Sequence, residues 1–204
     1  MKQWWRCLAL GLALTPGLAL GEEASYSYLE AGALHHDVDH LGSGNGVALA
    51  GSLAFGEHWH GFVSYQDSDR DYVDIRYNRA GIGYRLPLDS GWDLIARLSY
   101  ESSDYDPLGD GDGYGVEVAV RGALGTIDLE AGVRMRDLDV NSNIVCIAIH
   151  PTPPPCAFMN DQQGTDTRGF VNLGWRFNSN WSLVLSGEAG GKGNQVFIGP
   201  RWSF

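Results

Sequence analysis

The sequence predicts an all-β protein, a closed antiparallel up-and-down transmembrane β-barrel of about ten strands. Three observations predict it. Apolar and polar residues alternate with a period of two along most of the chain, which is a strand signal. After residue 21 no apolar run reaches the roughly 20 residues that a spanning helix needs. Short turns flanked by aromatic residues alternate with longer acidic connections. Within a bilayer only helices and closed barrels satisfy every backbone group, so strands bound for a membrane have to close.

The N-terminus reads as an export signal. Lys2 and Arg6 make a positive start, Leu8 to Leu20 is an almost unbroken apolar run, and Ala19-Leu20-Gly21 is a small-x-small cleavage site. The expected organisation is a cleaved signal peptide over residues 1–21 and a single barrel domain over residues 22–204. Cleavage removes Lys2 and Arg6 and no acid, which takes the formal charge from −11 to −13. So acidic a chain offers no basic face to phosphates, which argues against nucleic acid as a partner. Cys7 leaves with the signal. The remaining pair, Cys146 and Cys156, is expected to form a disulfide in an oxidising compartment.

The strands follow in order, near residues 25–35, 46–56, 58–67, 74–86, 91–103, 113–124, 126–138, 167–178, 181–190 and 194–204. An eight-strand count is the alternative. Residues 114–124 show the pattern best, with Tyr114, Val116, Val118, Val120 and Leu124 on one face and Glu117 and Arg121 on the other. Residues 127–138 set Ile127, Leu129, Val133 and Met135 against Asp128, Glu130, Arg134 and Arg136. Short turns fall at residues 55–59, 88–92, 125–126 and 178–181, and long acidic loops are expected near 36–45, 66–75, 102–113 and 139–167. Phe55, Trp59, Trp92, Phe177, Trp181, Trp202 and Phe204 lie beside the short turns and predict a periplasmic aromatic girdle. The chain ends on an amphipathic segment in which Val196, Ile198, Trp202 and Phe204 share a face. Trp202 and the terminal Phe204 resemble the signal read by the outer-membrane barrel assembly machinery, which makes that machinery and outer-membrane lipid with lipopolysaccharide the expected partners of a monomer in the cell outer membrane.

Alternation also puts charge inside. Glu30, Arg79, Arg85, Arg97, Glu101, Glu117, Arg121, Glu130, Arg134, Arg136, Arg176, Glu188 and Arg201 all fall on inward positions. An unpaired buried charge costs several kcal/mol, so these are expected to pair as a lumen network. Arginine is nearly the only cation, which suits bidentate pairing with carboxylates. The expected lumen is plugged by charged side chains; a narrow small-solute channel is the alternative.

Two clusters invite a metal. His35, His36 and His40 stand with Asp37 and Asp39 in one short stretch, but neighbouring strand residues point to opposite faces, so at most a subset converges. Asp104, Asp106, Asp110 and Asp112 lie among glycines without the spacing of a twelve-residue calcium loop. No cofactor and no catalytic residue is expected. His58 and His60 fall at the periplasmic end, and no Ser-His-acid set or outer-rim carboxylate pair is placed by spacing, which leaves a lipid-modifying or proteolytic enzyme as the remote reading.

Segments along the mature chain carry a resemblance. Ser25-Tyr26-Ser27-Tyr28-Leu29-Glu30-Ala31-Gly32, Gly46-Val47-Ala48-Leu49, Phe62-Val63-Ser64-Tyr65, Ala80-Gly81-Ile82-Gly83-Tyr84, the run from Gly113 to Leu124, and Phe197-Ile198-Gly199-Pro200-Arg201-Trp202 resemble the small outer-membrane barrel family regulated by diffusible signal factor, of xanthomonad type. Residues 139–167, rich in Cys and Pro, depart from it as an insertion. The resemblance implies a structural or interaction protein tied to biofilm or cell-surface properties, and it transfers no catalytic residue.

Overall fold

The computed structural model describes residues 25–38, 42–70, 73–88, 91–106, 109–142, 145–146, 156–157, 164–191 and 193–204. The proposed signal peptide, His40 and most of the Cys- and Pro-rich loop lie outside the described residues.

The strands are β1 (Tyr28–Val38), β2 (Gly42–Phe55), β3 (Trp59–Arg70), β4 (Val73–Leu88), β5 (Trp92–Asp106), β6 (Gly109–Leu124), β7 (Ile127–Ser142), β8 (Val145–Cys146), β9 (Cys156–Ala157), β10 (Gly164–Arg176), β11 (Trp181–Gly190) and β12 (Gly193–Ser203). Ten of them close into one antiparallel barrel, each paired with its neighbour in sequence apart from the step from β7 to β10. The seam is β1 against β12, from Tyr28 opposite Ser203 to Asp37 opposite Asn194, so the barrel has no free edge. The short β8 and β9 form a separate pair that sets Cys146 opposite Cys156 in the backbone register.

Tight turns join the strands at the lower end. Gly125 takes a left-handed φ of 62° in the two-residue link from β6 to β7, a conformation that costs glycine nothing. Between β10 and β11 the Asn178 carboxamide oxygen accepts the backbone N–H groups of Asn180 and Trp181, both at 2.9 Å. Phe55, Trp59, Phe177, Trp181, Trp202 and Phe204 stand exposed around this end, with Trp92 half-buried beside them. Above them runs a belt of outward Leu, Val and Ile, including Leu49, Val63, Ile82, Leu98, Val116, Val133, Leu173, Leu185 and Ile198. Tyr65, Tyr100 and Tyr114 mark its upper limit on one side. The Tyr65 hydroxyl donates to Asp67 at 2.9 Å, and that of Tyr100 donates to Asp112 at 3.3 Å.

The expected long loops near residues 36–45, 66–75 and 102–113 are a correction. Strands β1 to β6 run on through most of those segments. Strands β4, β6 and β7 have 16 residues each, whereas about 9–11 suffice to cross a bilayer, so this side of the barrel rises above the membrane. Above the membrane the outer face meets water while the inner face stays packed, with Ser68, Ile75, Ser103 and Leu138 buried, and Ser and Asp then replace the apolar outward half of the alternation without weakening the ladder of hydrogen bonds. Outward carboxylates consequently face each other across strands: Asp69 opposite Asp74, Asp74 opposite Asp106, Asp104 opposite Asp110, and Asp112 opposite Asp139. At the other end β1 starts at Tyr28, later than the expected residue 25. Ser25 to Ser27 leave the wall, and Tyr26 turns into the lumen.

Candidate functional site

The lumen holds the chemistry. Its walls are inward positions of regular strands, so each functional side chain is fixed by the period of two. Glu117, on β6, is the centre, and only 1% of it is exposed. Arg79 of β4 reaches it at 2.8 Å, Arg134 of β7 at 2.9 Å, and Arg97 of β5 also binds it. Arg97 grips Glu130 with two nitrogens, at 2.6 and 3.2 Å, and Arg121 approaches the same carboxylate at 3.8 Å. From Arg134 the chain continues to Glu188 at 2.9 Å, on to Arg168 at 3.2 Å and then to Asp166 at 2.7 Å, which Arg136 also meets at 3.0 Å. Arg79 faces Glu101 at 3.4 Å at the opposite end. One unbroken line of guanidinium–carboxylate pairs therefore joins β4, β5, β6, β7, β10 and β11. Shorter pairs flank it: Arg201 with Glu30 at 2.6 Å, Arg176 with Asp128 at 3.4 Å and Arg85 with Asp93 at 3.8 Å.

Neutral groups complete these pairs. Glu101 is fully buried and accepts from the Ser99 hydroxyl at 3.0 Å and from the Tyr77 hydroxyl. It fits because Gly115 stands beside it: a Cβ there would overlap Glu101 Oε1 and crowd Ser99 Oγ. Aromatic rings cover several guanidiniums, with Phe62 4.7 Å from Arg79, Tyr26 4.4 Å from Arg121 and Tyr28 4.1 Å from Arg201. Such full pairing is what burial demands, since a charge left alone here would cost several kcal/mol.

The exterior completes the assignment. A belt of apolar side chains between an aromatic ring below and tyrosines above, on a closed barrel, is a surface made for lipid. The protein spans the bacterial outer membrane. Solved outer-membrane proteins match at low identity. Neisserial surface protein A is 17% identical, with 90% of this chain and 100% of that chain covered and a TM-score of 0.42. The KdgM porin is 10% identical over 86% of this chain and 99% of its own, with a TM-score of 0.44. The outer membrane protein OprG from Pseudomonas aeruginosa is 13% identical over 90% and 98%, with a TM-score of 0.39. No family description and no curated protein matches the sequence.

The histidines of β1 do not meet. His35 points outward and shares a 2.8 Å hydrogen bond with Asn45, while His36 is buried on the inner face. Asp104, Asp110 and Asp112 line the outer face, where Asp104 has Arg76 at 3.6 Å. Among the described residues no group of three or more His, Cys, Asp or Glu is arranged to hold a metal ion.

Three lumen features escaped the sequence reading. Asp166 falls where a loop was expected and Arg168 at the start of the expected strand 167–178, and the alternation of residues 169–177 extends back through Thr165 and Thr167 outward and places both inward. His60 lies inside the lumen with 1% exposed, its ring lodged against Gly83, where a Cβ would collide with it. Tyr26 packs with Ile95 and Ala119, and its hydroxyl donates to Asp93 at 2.7 Å, while Arg121 donates to the Ser25 carbonyl at 2.8 Å. The short N-terminal segment thus folds back under the lumen, a placement for which strand periodicity gives no signal.

Proposed function

We propose that this barrel is a non-conducting protein of the outer membrane that acts as a structural or interaction protein at the cell surface, with its lumen closed to ions by paired side chains. The observation that carries this is the line of ion pairs from Glu101 to Asp166, in which each arginine lies within 4 Å of a carboxylate partner. An ion entering the lumen would have to separate these pairs and leave buried charges uncompensated. The part offered to the outside is instead the tall rim of β3 to β7 with its outward carboxylates. The resemblance of the sequence to a family associated with biofilm and surface properties supports the same role. Purified protein in planar bilayers is expected to give no single-channel steps. Steady steps in potassium chloride would establish the narrow-channel reading in its place. A deletion strain with unchanged biofilm mass and surface adhesion would remove the biofilm assignment while leaving the closed lumen standing.

A further inference from the structure

The charged network does not fill the barrel. The six successive inward positions of β2 are Gly44, Gly46, Ala48, Ala50, Ser52 and Ala54, none larger than serine. Along that wall a cavity of about 140 Å³ remains. Its far side is the network; its near side carries the Glu30–Arg201 pair and neutral polar groups, Ser52, Ser64, Gln66, Asn172, Ser186 and Gln195.

Three buried atoms in this lining have no hydrogen-bond partner among the described residues: Arg79 Nε, whose charge is met by Glu101 at 3.4 Å, and two neutral atoms, Ser52 Oγ and His60 Nδ1. The state of His60 follows from its neighbour. Arg97 Nε, which can only donate, lies 3.2 Å from His60 Nε2. That nitrogen therefore keeps its lone pair, and the ring proton sits on Nδ1 as an unsatisfied donor. A buried donor or acceptor left unmade costs about 1–3 kcal/mol, so two of them bordering one cavity call for a polar occupant. One water needs only roughly 10–15 Å³ of such space, far less than this cavity offers. The Tyr26 ring stands 5.1 Å from that of His60 and lines the same cavity.

We propose that this cavity is a binding site for a small neutral polyol, entered from the periplasmic side when Tyr26 moves aside. Hydroxyl groups of such a solute accept from His60 Nδ1 and exchange hydrogen bonds with Ser52. Its carbon atoms pack on the Ala48 and Ala50 methyls and on the Phe62 ring. A charged solute finds no counter-ion, because the arginines and acids around the cavity are already committed to each other. The site is independent of the closed-lumen proposal, since it requires entry from one side only.

The test uses the refolded barrel in nanodiscs with ¹⁵N-labelled histidine, the His60 signals being assigned through His60→Asn. Glycerol is the probe. The His60 ring signals are expected to shift saturably with glycerol while the exposed His35 signals only drift with bulk composition, and potassium chloride is expected to leave His60 unmoved. Ser52→Leu and Ala50→Leu each fill the cavity and are expected to weaken glycerol binding by at least about tenfold; either one serves if the other fails to fold. Tyr26→Ala is expected to speed exchange between the free and bound signals. A His60 signal that ignores glycerol, that follows it linearly as His35 does, or that shows contact with water alone overturns the proposal. Single-channel activity would overturn the closed lumen without touching this result.

Discussion

Glu117→Gln removes one negative charge from a side chain that three guanidiniums share. Two of them keep another good partner. Arg97 retains Glu130 at 2.6 Å, and Arg134 retains Glu188 at 2.9 Å. Arg79 retains Glu101 alone, at 3.4 Å from its Nε. The loss therefore concentrates on Arg79, whose side chain is 9% exposed and whose charge becomes poorly compensated. Breaking a buried pair by removing one partner costs about 3–5 kcal/mol, and the variant is expected near that range. Removing the stranded charge together with the carboxylate it would leave alone, in the triple variant Arg79→Met, Glu101→Gln and Glu117→Gln, should recover much of the loss, which a mutant cycle reports as a coupling energy. The assay is urea unfolding of the refolded barrel in lipid vesicles, followed by tryptophan fluorescence and by heat-dependent gel migration. A single variant within 1 kcal/mol of the parent, as estimated on that scale, would show that water or a rearranged network screens these charges. A triple variant no more stable than Glu117→Gln would show that Arg79 is not where the cost falls.

Gly115→Ala puts a methyl into the recess that holds Glu101 and is expected to cost about 1–3 kcal/mol by urea midpoint, with no change in the apolar exterior. Asp74 stands between Asp69 and Asp106, and Asp74→Asn is expected to raise stability by about 0.2–1 kcal/mol, most clearly at low salt. The backbone register of β8 and β9 sets Cys146 against Cys156; the folded, non-reduced protein is expected to show no maleimide-reactive thiol, and one reactive thiol per cysteine would refute the pairing.

Much of this architecture was legible because a strand in lipid has so few options. Leu, Val and Ile at every second position of residues 114–124 fix which face meets the membrane, and the same count sends Glu117 and Arg121 inward. The upper strands were harder. In residues 102–113 the outward positions include Ser102, Asp104, Asp106, Asp110 and Asp112, and the inward ones include Gly111 and Gly113, so apolar periodicity vanishes although the ladder continues. Individual partners in the lumen were not legible at all. Arg79 and Glu117 sit on strands that are not neighbours, and they meet because both reach across the barrel, which depends on its stagger. Tyr26 and His60 belong to the same class: their burial follows from closure of the whole wall rather than from anything local.

The pairing of the lumen also constrains the order in which the barrel can form. Arg134 of β7, besides Glu117 of the adjacent β6, takes Glu188 of β11 as its second partner, and Arg201 of β12 depends on Glu30 at the start of the chain. A hairpin that entered the membrane by itself would carry such residues without their partners, at about 2–4 kcal/mol for each arginine near the midplane. Strand β7 alone brings Asp128, Glu130, Arg134 and Arg136. Insertion strand by strand is therefore uphill at nearly every step, and the favourable route is one in which the strands curl together first and cross the bilayer as a nearly complete cylinder. The charges paired in the finished lumen make translocation a cooperative event.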